Sequence, residues 1–534
     1  MYFCFNWRQV GQAGLMFLIV AASSDPIPAY AGGWDTIGVT VLQAVTTNLN
    51  GMGIRVAQAE GDENTNQPPT FEVDPGAVGQ PTNLFTYISA LGSSGIYPNS
   101  IGGESGHASW VAGAFYGNPF GVAPNVAHVD SYDADFFVNS VVPAQTPIND
   151  RIVNQSFIFS PFTTNQQQTV DSNYDDYAAR YNTLFVSGAG NGGPVSPPST
   201  CYNGISVGAY YDSTNYSSVG PTLDNGRAKP DITAPSVATS YSTPQVAGAA
   251  ALLIQAALRG DGGGSTNSAA DMRTVKALLL NGAIKPADWT NAVTSPLDAR
   301  YGAGVLNVFN SYEQLAGGKN SYVVSTTVPV GNPHPPTGAT GTVAVLSGWD
   351  YSTISSSNSW DRVNHYYFDV TNAMNGGAFI ATATLVWIRQ QNQTDINDLD
   401  LFLYDAHSSN VIASSASLVD NVEHLFVPDL PPGRYDLQVL KNGGPSGGKR
   451  ITNTETYALA FEFFSPSLNI APSDTNVVLT WPIYPDGFIL ESTTNLSSPV
   501  VWSTNNPAPS LTNSQNRVAA GNADGNQFFR LRRP

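Results

Sequence analysis

Between residues 55 and 209 the chain holds short apolar runs with little polar alternation, at 55–59, 127–132, 151–156, 183–188 and 204–209. A strand with one face in water reads apolar and polar in turn, because successive side chains point to opposite faces. A run that stays apolar is covered on both faces, the condition of a parallel sheet flanked by helices. Helical spacings fall between and after these runs, at 108–116, 174–181, 244–259 and 272–283. Strands alternating with helices predict an α/β domain built on a mostly parallel sheet. Ligands of such sheets bind beyond the carboxyl ends of the strands.

After Gly317-Gly318 the texture changes. Residues 322–465 are rich in Ser, Thr and Asn, with strand-like runs at 379–387, 400–404 and 435–439 and a turn at Pro431-Pro432-Gly433. Residues 468–534 repeat the pattern on a smaller scale. We therefore expect an α/β domain over 32–318, a β-sandwich over 322–465 and a small β domain over 468–534, in keeping with a length of 534 residues. Ahead of these, Arg8, the apolar run 15–22 and Ala29-Tyr30-Ala31 follow the order of a secretory signal over 1–31. The expected location is extracellular or periplasmic, with no transmembrane anchor, since the apolar run is too short to span a bilayer. Cleavage near Ala31 would remove Cys4 and leave Cys201 alone, so no intramolecular disulfide is expected. A net charge of −18 argues against nucleic acid as a partner, which requires a basic face.

Three segments carry reactive groups among glycines and small residues. In Gly106-His107-Ala108-Ser109-Trp110-Val111-Ala112-Gly113 the His opens a helix, where the dipole disfavours the imidazolium and keeps a base neutral. In Ala238-Thr239-Ser240-Tyr241-Ser242-Thr243-Pro244, Pro244 suits a first helical turn. Ser240 then precedes that turn, facing amide N–H groups that favour an oxyanion. In Ser187-Gly188-Ala189-Gly190-Asn191-Gly192 a strand ends in a glycine turn that holds out Asn191, whose amide can donate to an oxyanion. Taken singly, His107 and Ser240 also suit plain helix capping, and Asn-Gly a common turn.

Together, in this order, the three blocks resemble those of the subtilase family: His-Gly-Thr-His-Val-Ala-Gly, Ala-Gly-Asn and Gly-Thr-Ser-Met-Ala-x-Pro-His-Val-Ala-Gly. The resemblance extends through Gly121-Val122-Ala123-Pro124, Ile152-Val153-Asn154-Gln155-Ser156, Lys229-Pro230-Asp231 and Tyr301-Gly302-Ala303-Gly304, over about residues 50 to 310. It implies hydrolysis of protein or peptide substrates by acyl transfer, with Ser240 as nucleophile, His107 as base and Asn191 as oxyanion donor. No cofactor is implied for the chemistry.

The family's triad acid ends a first strand, as in Val-Ala-Val-Ile-Asp-x-Gly. Here Arg55-Val56-Ala57-Gln58-Ala59-Glu60-Gly61-Asp62 puts Glu60 at that position, with Asp62 as a second candidate. The extra methylene of Glu requires a shift of about an ångström, and misplacement on that scale can cost ~10²-fold. Ser156, Phe157 and Ile158 stand where relatives pair with the substrate backbone. Ile158 replaces a Gly, which would narrow the first specificity pocket toward small side chains. Residues 235–238 also form a short rim. These departures motivate an alternative, a catalytically impaired relative acting as an extracellular binding or adhesive protein.

The 322–465 region resembles the prepeptidase C-terminal type of β-sandwich, through Thr384-Leu385-Val386-Trp387, Asn397-Asp398-Leu399-Asp400 and Asn421-Val422-Glu423-His424. Asp398 and Asp400 alternate on one strand face, an arrangement that suits a structural Ca²⁺ as well as it suits plain solvent-facing carboxylates. Attachment to a surface or polymer is the role considered for the C-terminal domains.

Overall fold

The computed structural model describes residues 17–18, 31–63, 68–159, 162–211, 214–370, 379–444, 450–465, 467–473, 476–504, 506–512, 515–521 and 526–532. Seven parallel strands make up most of a nine-stranded sheet: β1 (Arg55–Glu60), β2 (Phe85–Ser89), β3 (His128–Asp133), β4 (Ile152–Gln155), β5 (Leu184–Gly188), β6 (Ile205–Tyr211) and β7 (Ile232–Pro235). Their spatial order is β2-β3-β1-β4-β5-β6-β7. All residues of β4 and β5 are buried, as expected for strands covered on both faces. The chain order β1, β2, β3 against the spatial order puts crossovers on either side of β1. The ends of β1, β4, β5 and β7 therefore open on one edge of the sheet.

Helices α1 (Gly106–Phe115), α2 (Thr164–Tyr181), α3 (Thr239–Arg259), α4 (Met272–Asn281) and α5 (Val308–Ala316) pack around the sheet. The Ala- and Gly-rich α3 is buried along most of its length. Its Gly248 allows the close approach, since a Cβ there would come 2.5 Å from that of Val122.

Two helices start earlier than the apolar spacing predicts. Helix α2 begins at Thr164 rather than 174, because a capping box of Thr163 and Gln166 nucleates a polar first half with little apolar spacing. Helix α3 begins at Thr239 rather than 244. Pro244 is thus inside the helix, and Ser240 lies in the first turn rather than before it. Proline lacks the N–H that would bond the carbonyl four residues back, which is that of Ser240. The Ser156 hydroxyl donates to that carbonyl instead, at 3.0 Å.

The β-sandwich has two antiparallel sheets. One orders Val324–Pro329, Trp360–Val370, Gly433–Lys441, Leu399–Asp405 and Val411–Ser415; the other orders Ser347–Ser355, Thr454–Phe464, Phe379–Val386 and Val422–Leu430. Between them lie Trp387, Leu401, Leu437, Leu459 and Phe461. The second sheet docks on α4 and α5 through polar contacts. Thr382 and Thr384 both donate to Asn281 Oδ1 at 3.0 Å, and Gln314 donates to Glu462. Arg389, buried, reaches Asp175, Asp176 and the Ser172 carbonyl on α2. The last β unit has its own small core around Leu479, Trp481, Leu490 and Val518.

Phe17–Leu18 forms a two-residue strand antiparallel to Ile158–Phe159. The rest of the expected signal segment up to Tyr30 lies outside the described residues. Among the described residues no helix is long and apolar enough to cross a membrane.

Candidate active site

Glu60 is the last residue of β1 and is 1% exposed. Its Oε2 lies 2.9 Å from Nδ1 of His107, the second residue of α1. A carboxylate at that distance requires the proton on Nδ1, which leaves the Nε2 lone pair available as a base. Ser105 caps α1 by accepting from the Ala108 N–H at 2.9 Å. Glu63 Oε1 accepts from the His107 N–H at 2.6 Å. Burial alone lowers the proton affinity of His107. The charge and hydrogen bond of Glu60 and the charge of Glu63 outweigh it, so the imidazole pKa is raised above its ordinary value. The helix dipole was expected to act in the opposite sense; two nearby carboxylates overcome it.

Asp62 is turned elsewhere. Its Oδ1 accepts from the Thr70 N–H and hydroxyl at 2.8 and 2.7 Å, tying the end of β1 to a neighbouring short strand. The structure thus brings Glu60, and not Asp62, to the imidazole.

Asn191 follows β5 in a glycine turn, with Gly190 at φ +108° and Gly192 at φ +111°. These left-handed positions suit Gly and turn the Asn side chain back toward α3. Its Oδ1 accepts from both the N–H and the hydroxyl of Thr239, at 2.7 and 2.9 Å. With the oxygen so engaged, the Nδ2 hydrogens are the part of the amide left to donate. Thr239 N–H is consumed in this contact. The next amide, that of Ser240, sits at the second helical position, where no intrahelical acceptor exists.

Ser240 Oγ donates to the Ser156 carbonyl at 3.4 Å. Its neighbour Tyr241 has its ring 6.3 Å from that of His107, which sets the N-termini of α1 and α3 side by side. Among the described residues no hydrogen bond joins Ser240 to His107. Of the residues expected along the substrate strand, Ser156 contacts Ser240 in both directions. Phe157 is buried, 5.7 Å from the Phe159 ring. Ile158 extends across to the Asn191 turn, with Cδ1 3.5 Å from where a Cβ on Gly190 would project. The backbone edge of 158–159 already accepts an antiparallel strand, Phe17–Leu18.

Two contributors were not read from the sequence. Glu63 is one; its signal is the acidic run Glu60-Gly61-Asp62-Glu63 just past the end of β1. Gln58 is the other; its signal is a polar residue among the apolar residues Val56, Ala57 and Ala59 of β1. Gln58 Nε2 donates to Glu60 Oε1 at 3.0 Å.

In the sandwich, Asp398 and Asp400 lie together, and Asn442 Nδ2 donates to Oδ2 of each at 2.9 Å. Burial and the neighbouring Asp398 charge push Asp400 well above the usual carboxylate range. Among the described residues no group of three or more His, Cys, Asp or Glu side chains is arranged to hold a metal ion.

The model of the subtilase family matches residues 92–304, less than half of the chain. The match includes His107, Asn191 and Ser240 and leaves out Glu60. Solved structures that align with the chain include two proteases. The Prenylagaramide maturation protease PagA is 21% identical, with 52% of this chain and 99% of that one covered and a TM-score of 0.38. The S41 psychrophilic protease is 21% identical, with coverage of 50% and 97% and a TM-score of 0.36. Residues 92–304 match the subtilase family, and the mostly parallel sheet that holds them is consistent with that match.

Proposed function

We propose that this protein is a secreted serine endopeptidase that cleaves peptide bonds through an acyl-enzyme on Ser240, with His107 as base and Glu60 as the third member of the triad. The observation that carries the reading is the 2.9 Å contact between Glu60 and His107 Nδ1 within a subtilase-type domain. In the proposed reaction Ser240 Oγ attacks the scissile carbonyl and its proton passes to His107 Nε2. Glu60 holds the Nδ1 proton and stabilises the imidazolium. The oxyanion forms against Asn191 Nδ2 and the Ser240 N–H, the C–N bond breaks as His107 protonates the leaving amine, and water repeats the sequence to release the acid. Removing one such donor costs on the order of 10²-fold in kcat or more, a magnitude that itself comes from a subtilisin. Side chains and backbone amides carry the chemistry, and a Ca²⁺ at Asp398 and Asp400 would serve structure alone.

Ile158 against Gly190 favours small residues at the position preceding the scissile bond. Export is supported by the charged, apolar and small-residue order of 1–31. The test is cleavage of a peptide library. Wild type is expected to cut after Gly or Ala and Ser240→Ala not at all, while Ile158→Gly gains about 10-fold or more on large apolar residues. Absence of cleavage by wild type across the library would favour the binding-protein reading instead.

A further inference from the structure

A glutamate has one more rotatable bond than an aspartate. A carboxylate held only through the oxygen that faces His107 would swing about that bond. Here its other oxygen is also held. Gln58 lies two residues earlier on β1, so both side chains project from the same face of the strand, toward α1. One hydrogen of Gln58 Nε2 goes to Glu60 Oε1 at 3.0 Å and the other to the Ala108 carbonyl at 2.9 Å. Gln58 Oε1 in turn accepts the Tyr116 hydroxyl at 2.7 Å. Gln58 and Tyr116 are fully buried and Glu60 nearly so. Both amide hydrogens and the amide oxygen of Gln58 are therefore used.

These contacts join β1 to both ends of α1. Ala108 follows His107 in the first turn, and Tyr116 is the residue that closes the helix. The distance between the strand that carries the acid and the helix that carries the base is fixed by one amide. In the strand pattern that β1 resembles, Val-Ala-Val-Ile-Asp, a valine stands where this chain has Gln58. Valine has no donor to offer a carboxylate.

We propose that Gln58, oriented by Tyr116 and the Ala108 carbonyl, is a positioning residue that fixes the Glu60 carboxylate on His107 and so allows a glutamate to serve as the triad acid. Gln58 and Glu60 act as a pair. The proposal rests on the peptidase reading above.

The test is a double-mutant cycle read by peptide turnover and by the second-order rate of Ser240 modification with a fluorophosphonate. Gln58→Leu is expected to lower kcat on the order of 10²-fold with KM nearly unchanged, the scale expected for ångström misplacement of a catalytic group. Tyr116→Phe, which removes only a hydroxyl, is expected to lower kcat in the same direction by a smaller factor. It serves as the milder probe if Gln58→Leu does not fold. In a Glu60→Ala background neither substitution should slow Ser240 modification further, because the group they position is gone. A kcat at the wild-type level in both single variants overturns the proposal. So does an equal loss with and without Glu60, which would mark a purely structural role. A wild type that neither cleaves nor labels overturns the peptidase reading itself, and the proposal with it.

Discussion

His107 is held by two carboxylates in different ways: Glu60 through the ring nitrogen and Glu63 through the backbone N–H. Both raise its pKa above the ordinary 6.5 against the opposing effect of burial. A general base works in its neutral form, which for a raised pKa is reached only at higher pH. The acid limb of kcat/KM should therefore have its midpoint above pH 6.5, with activity rising through it. Glu60→Gln removes the charge that contributes most to the raised value, so burial dominates and the midpoint should move down. The same change should lower kcat by roughly 10²-fold to 10⁴-fold, since the imidazolium loses its partner. A pH–rate profile of both proteins checks the sign. A wild-type midpoint below 6.5, or no movement in Glu60→Gln, would contradict this account of the base.

Helix α3 carries Ser240, the proposed nucleophile, and its first turn is completed from outside. Pro244 leaves the Ser240 carbonyl without its intrahelical donor, and the Ser156 hydroxyl after β4 supplies one at 3.0 Å. Ser156→Ala should cost about 1 kcal/mol of stability by leaving a part-buried acceptor unpaired. It should also lower kcat, because the turn that carries Ser240 loosens. Pro244→Ala in that background restores an N–H at the right place in the helix and should recover part of the loss in a denaturant titration. The two changes would then be clearly non-additive. This element also shows what the sequence could carry. The blocks that hold Ser240, His107 and Asn191 were legible as a family pattern, because their glycines and alanines suit the local backbone geometry. Gln58 and Glu63 were not, because their partners, the Ala108 carbonyl and His107 N–H, lie 50 and 44 residues away. The start of α3 was misread because a proline normally marks a first turn, and here the missing bond is replaced by a residue 84 positions distant.

At the scale of the molecule, the sandwich is part of the structure that supports the site. Arg389 carries a guanidinium that is 4% exposed onto Asp175, at 3.1 Å, and Asp176, at 2.8 Å, on α2. Burial pushes Asp175 up, and Arg389 is the charge that most opposes it. Arg389→Met should destabilise the protein by about 3–5 kcal/mol, since it leaves a buried carboxylate without its cation. The midpoint of urea unfolding should fall for the signals of both domains together. Asp175 then takes up a proton more readily, so the loss should be larger at pH 8 than at pH 5. Unchanged unfolding in Arg389→Met would mean that the two domains stand independently. The sheet and its edge were readable from the apolar runs; this docking was not, because an isolated Arg in a loop carries no local signal of a partner more than two hundred residues away.

The central claim is that Ser240 is a nucleophile made reactive by His107 and Glu60. Fluorophosphonate modification followed by mass mapping of the labelled peptide tests it most directly, on wild type, Ser240→Ala, Glu60→Ala and Asp62→Ala. The account predicts a single adduct on Ser240 in wild type and none in Ser240→Ala. Labelling should be slower by about 10²-fold or more in Glu60→Ala and nearly unchanged in Asp62→Ala. A folded wild type that takes up no label, or a Glu60→Ala protein that labels at the wild-type rate, would contradict it.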